Sequence, residues 1–364
     1  MNIHNRNRPV AKLALLFLFF AGLFALSCSD EPIFADIEDE VKLKDPSIRG
    51  ITITSMVSWN GNLYTANGKI YQRQGGTGDW TRMSLPAGTF RCPEIAGDGT
   101  ALFALFQNSS WNFHSLQMYN GTEWIAIEGL SGVFRVISGS GYVWAFREDL
   151  RDNDDNVSFS ALRVYANGDI AEVVTGLTSL PVAASASWFA TTSAIYDEAG
   201  TVISVPAENP TQSIPAGTIR ALTFDGTRLF AATDGYVYRW DGSTWVSFAH
   251  DTDTPVTSLA WLGAGGKNVL LLSGGSGYSE VLLDGEGNPW QFQNPGDSEA
   301  SSISVDSQSQ YKSNIEDWDL SAIFAIASPV PEGNEYCLYA GVVDSNYDGL
   351  WGYYSATQPV WNRE

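Results

Sequence analysis

The run Asp344-Ser-Asn-Tyr-Asp-Gly349 places three side-chain oxygen donors, on Asp344, Asn346 and Asp348, at alternate positions ahead of a glycine. Donors so spaced converge on a hard divalent cation, Ca2+ above all, while the glycine takes the sharp turn. Only the opening of such a loop is present. The twelfth position, where an EF-hand carries its bidentate acid, is Ser355. The competing reading is an ordinary hairpin turn, because Asp, Asn and Gly are also the residues that turns use. A second acidic run, Glu148 to Asn156, repeats the alternation at Asp152, Asp154 and Asn156 without a glycine, and reads as a solvated hairpin. Histidine chemistry has little to work with. The chain has three histidines, His4, His114 and His250, in no metal-ligand spacing, whereas zinc sites need several N/S ligands and most hydrolytic triads need a placed His. His114 and His250 are expected at the surface or at a blade edge. Carboxylates are plentiful, and two of them facing one another would suffice for glycoside hydrolysis, but no local context singles out a pair. No catalytic residue is assigned, and no cofactor is required; calcium is the one ion the sequence accommodates.

The chain has 41 acidic and 20 basic residues, a net charge of −21. A surface this negative repels nucleic-acid phosphates, so nucleic acid is excluded as a partner. Of the three cysteines, Cys28 lies near the N-terminus, and Cys92 and Cys337 are far apart in sequence. The last two are read as buried thiols rather than a disulfide.

Residues 1–27 have the layout of a secretory signal. Arg6, Arg8 and Lys12 precede a near-continuous apolar run from Leu13 to Leu26, shorter than the roughly 20 apolar residues of a membrane span. Removing it takes away three basic residues and no acidic one, which brings the net charge to −24. The run ends Ala25-Leu-Ser-Cys28, which resembles the lipobox of bacterial lipoproteins. That resemblance implies cleavage before Cys28 and acylation of its thiol and new amino group, palmitate included. More than one chain holds stably in a bilayer, at about 0.8 kcal/mol per buried CH2. Residues 28–48, with the acidic stretch Asp36-Ile-Glu-Asp-Glu40, read as a flexible tether. Acid following the lipidated Cys also resembles the surface-export signal of some Bacteroidota lipoproteins, and looser lipoboxes resemble those of spirochaetes.

Whatever chemistry these residues do must be positioned by the repeating unit that fills residues 49–364. Leu229-Phe-Ala-Ala runs through Thr233-Asp234-Gly235 into Tyr236-Val-Tyr-Arg-Trp240, then through Asp241-Gly242 into a strand with Trp245. Asp-Gly between alternating strands is a hairpin signal. The plan recurs at Leu63–Tyr71 with Trp80, and at Leu116–Trp124. Self-similarity at tens of residues, 13 Trp and 35 Gly, and no long helical period mark an all-β chain of radially repeated four-stranded antiparallel blades, a β-propeller. About 315 residues accommodate seven blades of about 45 residues, with six as the alternative. The boundaries read as 50–86, 87–130, 131–177, 178–209, 210–250, 251–296 and 297–364. The segment Ile48–Ile51 is expected to close the ring on the last blade. Trp240-Asp-Gly-Ser-Thr-Trp245 resembles a degenerate sialidase Asp box, one residue short and without its leading Ser. The resemblance implies a hairpin turn with a packing Trp rather than an enzyme. Trp59, Trp111 and Trp318 fall at strand ends or in loops, and are the candidate rim aromatics for binding.

These readings converge on a monomeric, lipid-anchored propeller of the bacterial outer membrane, periplasmic or surface-exposed. It is expected to act as a non-enzymatic scaffold for an envelope protein, peptide or glycan. The alternative is a glycoside hydrolase with carboxylates converging in the central pocket.

Overall fold

The computed structural model describes residues 47–50, 52–149, 157–203, 217–250, 255–293, 315, 318–344 and 347–364. Its strands form seven four-stranded sheets, each an antiparallel meander of four consecutive strands, and each falls inside one of the expected blade boundaries. The fifth blade is the clearest, with strands Ala221–Phe224, Leu229–Ala232, Tyr236–Trp240 and Trp245–Ala249. Residues 150–156 of the second acidic run, and most of the connection before the seventh blade, lie outside the described residues.

Burial grades outward along each blade, and composition follows it. Second strands such as Leu102–Gln107, Val269–Ser273 and Cys337–Val342 are buried at every position. A sheet covered on both faces has no solvent side, so these strands read as unbroken apolar runs rather than alternating ones. Outermost strands such as Thr81–Arg82 and Trp124–Ala126 are largely exposed. Each blade hides its faces only against its neighbours. One cluster joins Val57 and Tyr64 of the first blade to Ile95 and Phe106 of the second. Another joins Trp144 and Phe146 of the third to Phe189 of the fourth.

The meander directs the turns between first and second strands, and between third and fourth, to one face of the disc. Turns between second and third strands, and the connections between blades, emerge on the other. On the first face one turn recurs. Asp98, Asn120, Asp225 and Asp241 each accept backbone N–H bonds from the second and third residues onward. Each is followed by a glycine at positive φ, between 90° at Gly99 and 101° at Gly121. The Asp or Asn side-chain oxygen thereby caps the N–H groups that a tight hairpin leaves without a ladder partner. In Asp241 the bonds from Thr244 and Ser243 hold the carboxyl well below the usual carboxylate range. The Asp-box-like motif is therefore a turn device, repeated where the chain needs it.

Among the described residues no blade borrows a strand from the N-terminus; Ile48 bonds to the last blade as expected, and the seam between the seventh and first blades is closed chiefly by Glu364. Its backbone N–H donates to Leu350, and its carbonyl accepts from Ser47 (2.7 Å) and Ile48 (3.3 Å). These two residues, at the end of the stretch read as tether, are thus seated on the last blade, with Ile48 fully buried. The Glu364 carboxylate takes bonds from Arg73 (3.0 Å) and the Trp80 indole (3.1 Å) of the first blade, and from the Tyr354 hydroxyl. Arg73 also donates to Tyr339 at 2.9 Å. All five side chains are buried. Burial works against the Arg73 charge, but the Glu364 carboxylate and the two tyrosines more than offset it and raise the guanidinium pKa. A Cβ at residue 352 would occupy the space of the Glu364 carboxylate, so the facing position is Gly352.

Candidate functional site

The first strands of all seven blades line a central cavity of about 430 Å3. Its charged lining residues are Glu94, Arg135 and Arg220; the rest are hydroxyl and aliphatic groups together with Met56, Trp261 and Phe324. Innermost strands expose one unpaired edge, and backbone groups there must find partners. They find them on the neighbouring blade. Ser55 Oγ accepts from Ile95 N–H at 3.0 Å, and Ser138 Oγ from Gly97 N–H at 2.9 Å. Ser258 Oγ accepts from Ile323 N–H at 2.8 Å. Ser321 Oγ donates to the Ile53 carbonyl at 2.7 Å, and Thr257 to that of Leu320 at 2.7 Å.

Glu94 and Arg135 follow the same pattern, whereas Arg220 pairs within its own blade. Glu94 Oε2 accepts from Val136 N–H at 2.7 Å, with Arg135 Nε 3.5 Å from its other oxygen. Arg135 donates onward to the Val182 carbonyl at 2.6 Å. Arg220 forms a bidentate pair with Asp234 at 2.9 Å. Burial pushes the Glu94 carboxyl above the usual range, against the pull of Arg135 and the Val136 N–H. Among the described lining residues one carboxylate faces the cavity, so no carboxylate pair converges there.

The raised Glu94 pKa predicts a pH dependence. The folded state holds this proton more tightly than the unfolded chain, so the associated stability is fully present below the unfolded pKa of about 4.3 and is lost as pH rises through the folded value. Charged Glu94 is then a cost at neutral pH. Glu94→Gln is expected to raise the urea midpoint over wild type at pH 8, with the gap narrowing towards pH 4. A gap that widens on acidification contradicts the assignment.

The residues singled out in the sequence are dispersed. Trp59, expected on the rim, is instead buried: its indole donates to the Thr100 carbonyl at 2.9 Å, and its ring packs on Tyr64 and Tyr119 between the first two blades. A strand end next to a neighbouring blade is still interior, which the sequence does not reveal. Trp318 is half-buried, stacked on Tyr347 at 4.4 Å and edge-on to Trp351 at 4.8 Å. In the calcium candidate, Asn346 lies outside the described residues, and Tyr347 N–H closes a turn onto the Asp344 carbonyl at 3.2 Å. Among the described residues no three His, Cys, Asp or Glu side chains gather as a metal site. His250 follows the outermost strand of the fifth blade, at the blade edge, and is buried there, with Nε2 2.9 Å from the Thr233 carbonyl. Cys92 and Cys337 are free and buried; burial raises both thiols, that of Cys337 to about 12, which leaves them unreactive.

Trp111 is the candidate that stands in solvent, 57 % exposed. It sits in the turn between the second and third strands of the second blade at φ 67°, a left-handed conformation unusual for a bulky residue. Asn108 enforces the turn: its side-chain oxygen accepts from Ser110 and Asn112, its carbonyl from Trp111 and its N–H donates to Asn112. Around Trp111 lie three residues that sequence reasoning passed over, Phe90, Arg91 and Phe113, with Lys69 from the first blade. Each is unremarkable alone, and only the ring brings their loops together.

The family model described as the TP013X lipoprotein family matches residues 3–364. One lipoprotein of Treponema pallidum (strain Nichols) is 24% identical over 396 residues, covering 95% of this chain and 98% of its own length. Another from the same organism is 25% identical over 371 residues, covering 93% of each. Among solved structures, Sqt1 of Saccharomyces cerevisiae is similar at a TM-score of 0.47 and 7% identity, over 86% of this chain and 84% of that one.

Proposed function

The chain belongs to the TP013X lipoprotein family, and we propose that it is a non-enzymatic scaffold: a propeller anchored through acylated Cys28 that offers one ring face to a partner. The signal peptide of residues 1–27, the tether that follows it and placement in the outer membrane, as a monomer, are parts of the same proposal. The observation that carries the reading is the use made of the channel's polar groups. Ser55, Glu94, Arg135, Ser138, Thr257, Ser258 and Ser321 each bond to an adjacent blade. Groups engaged in holding the ring together are poor candidates for acid–base work, which needs a paired acid and base free to meet substrate. Function on a propeller then falls to the turns. Calcium at Asp344, Asn346 and Asp348 is an optional addition, testable as a calcium-dependent rise in the melting midpoint.

The test is site-specific photo-crosslinking in intact envelopes. A photoreactive residue is placed at Ser110 or Ser193 on the face of the inter-blade connections, or at Asn60 or Ser243 on the opposite face, all of them exposed. Crosslinks to one partner from one face alone support the scaffold. Absence of crosslinks from both faces, or turnover of a glycan by the purified lipoprotein, overturns it.

A further inference from the structure

The geometry points to a docking site for an acidic peptide segment of a protein partner at the surface formed by Lys69, Phe90, Arg91, Trp111 and Phe113. This inference rests on the scaffold reading and names where, and for what chemistry, that scaffold binds. Three loops from two blades meet on the face of the inter-blade connections. Phe90 and Trp111 lie 6.3 Å apart, and the Arg91 guanidinium is 4.4 Å from the Trp111 ring centroid. Lys69 Nζ lies 5.8 Å from the Phe90 centroid. Phe90 is 50 % exposed and Phe113 42 %. Arg91, Gln107 and Phe113 are register partners across three strands, and the amide oxygen of Gln107, a residue nine-tenths buried, has no hydrogen-bond partner among the described residues.

Two observations select the occupant. The first is charge. Residues 66–70, 87–91 and 107–113 contain Lys69 and Arg91 and not one Asp or Glu, in a chain with 41 acidic residues. The patch is a basic island on an acidic protein, complementary to carboxylates. The second is the make-up of its surface. Trp, Phe and Arg are the residues enriched at the energetic centres of protein interfaces. A sugar would need several convergent donors and acceptors, yet the Asn108 side-chain oxygen is engaged within its own loop. Holding Trp111 in a fixed left-handed turn also orders the aromatic before any partner arrives, which lowers the entropic cost of binding.

The test uses the full mature lipoprotein in detergent and a fluorescent synthetic peptide of alternating Glu and Phe, with a Lys-for-Glu counterpart. The Glu peptide is expected to bind, with affinity reduced about tenfold or more by Trp111→Ala and reduced by Lys69→Gln with Arg91→Gln. Trp290→Ala, at an exposed residue of the sixth blade, is expected to leave affinity unchanged. Trp111→Gly keeps the left-handed turn without strain, so binding should fall while the melting midpoint does not. Equal binding of the Lys peptide, binding indifferent to Trp111, or a Trp111-dependent dimer in sedimentation overturns the proposal. A partner crosslinked elsewhere on the ring would defeat this site and leave the scaffold standing.

Discussion

Replacing Glu364 with Gln is expected to cost about 3–5 kcal/mol of stability, the range found when one member of a buried ion pair is removed. The carboxylate receives Arg73, Trp80 and Tyr354 in a site from which water is excluded. A neutral amide leaves the Arg73 charge buried without its counter-ion and turns an N–H2 group towards donors. Arg73→Gln removes the other half and should cost a similar amount, while the double variant should cost less than the two singles together, since neither charge is then stranded. A buried pair is poorly screened, so the loss should persist in 1 M salt. Urea denaturation followed by tryptophan fluorescence measures all four proteins. A loss below about 1 kcal/mol, or one that vanishes in salt, would class the pair with exposed bridges and place ring closure elsewhere. The seam is the natural weak point, because every other pair of neighbouring blades is joined by an unbroken chain.

Trp144→Ala is expected to destabilise by about 3–5 kcal/mol, as large aromatic truncations in packed cores do. The indole is fully buried between the third and fourth blades, 4.9 Å from Phe189 and 5.2 Å from Tyr142, and its N–H donates to the Ala186 carbonyl at 3.1 Å. Truncation opens a cavity in a layer that cannot collapse, since the strands on either side are held by their own ladders. It also removes a bond to Ala186, a non-glycine residue at φ 49°. Trp144→Phe should recover much of the loss, because it restores ring packing and forfeits only the N–H bond. Equal losses for Ala and Phe would assign the effect to the hydrogen bond instead. Amide exchange should locate the opening at the third and fourth blades first, because each blade is stabilised by its immediate neighbours.

The blade plan was readable without coordinates. Hairpin turns carry their own chemistry: Asp or Asn caps the N–H groups two and three residues on, and the glycine that follows takes positive φ. Both requirements lie within four residues of chain, as at Asp241-Gly242-Ser243-Thr244. Strands covered on both faces leave an equally local mark, an unbroken apolar run. Turn spacing and apolar runs together pointed to an all-β chain of seven blades with their boundaries, with six as the alternative that the seven sheets of the closed ring remove. What a residue meets across a blade interface was beyond such rules. Trp59 and Trp111 both stand at or near strand ends, yet one is buried against the second blade and the other is exposed beside Arg91. The bond that closes the ring joins residues 291 apart in sequence, and the proposed docking patch is assembled from loops of two different blades. Burial and charge at those places depend on how the sheets curve around the axis, a property of the closed ring that no window of sequence contains.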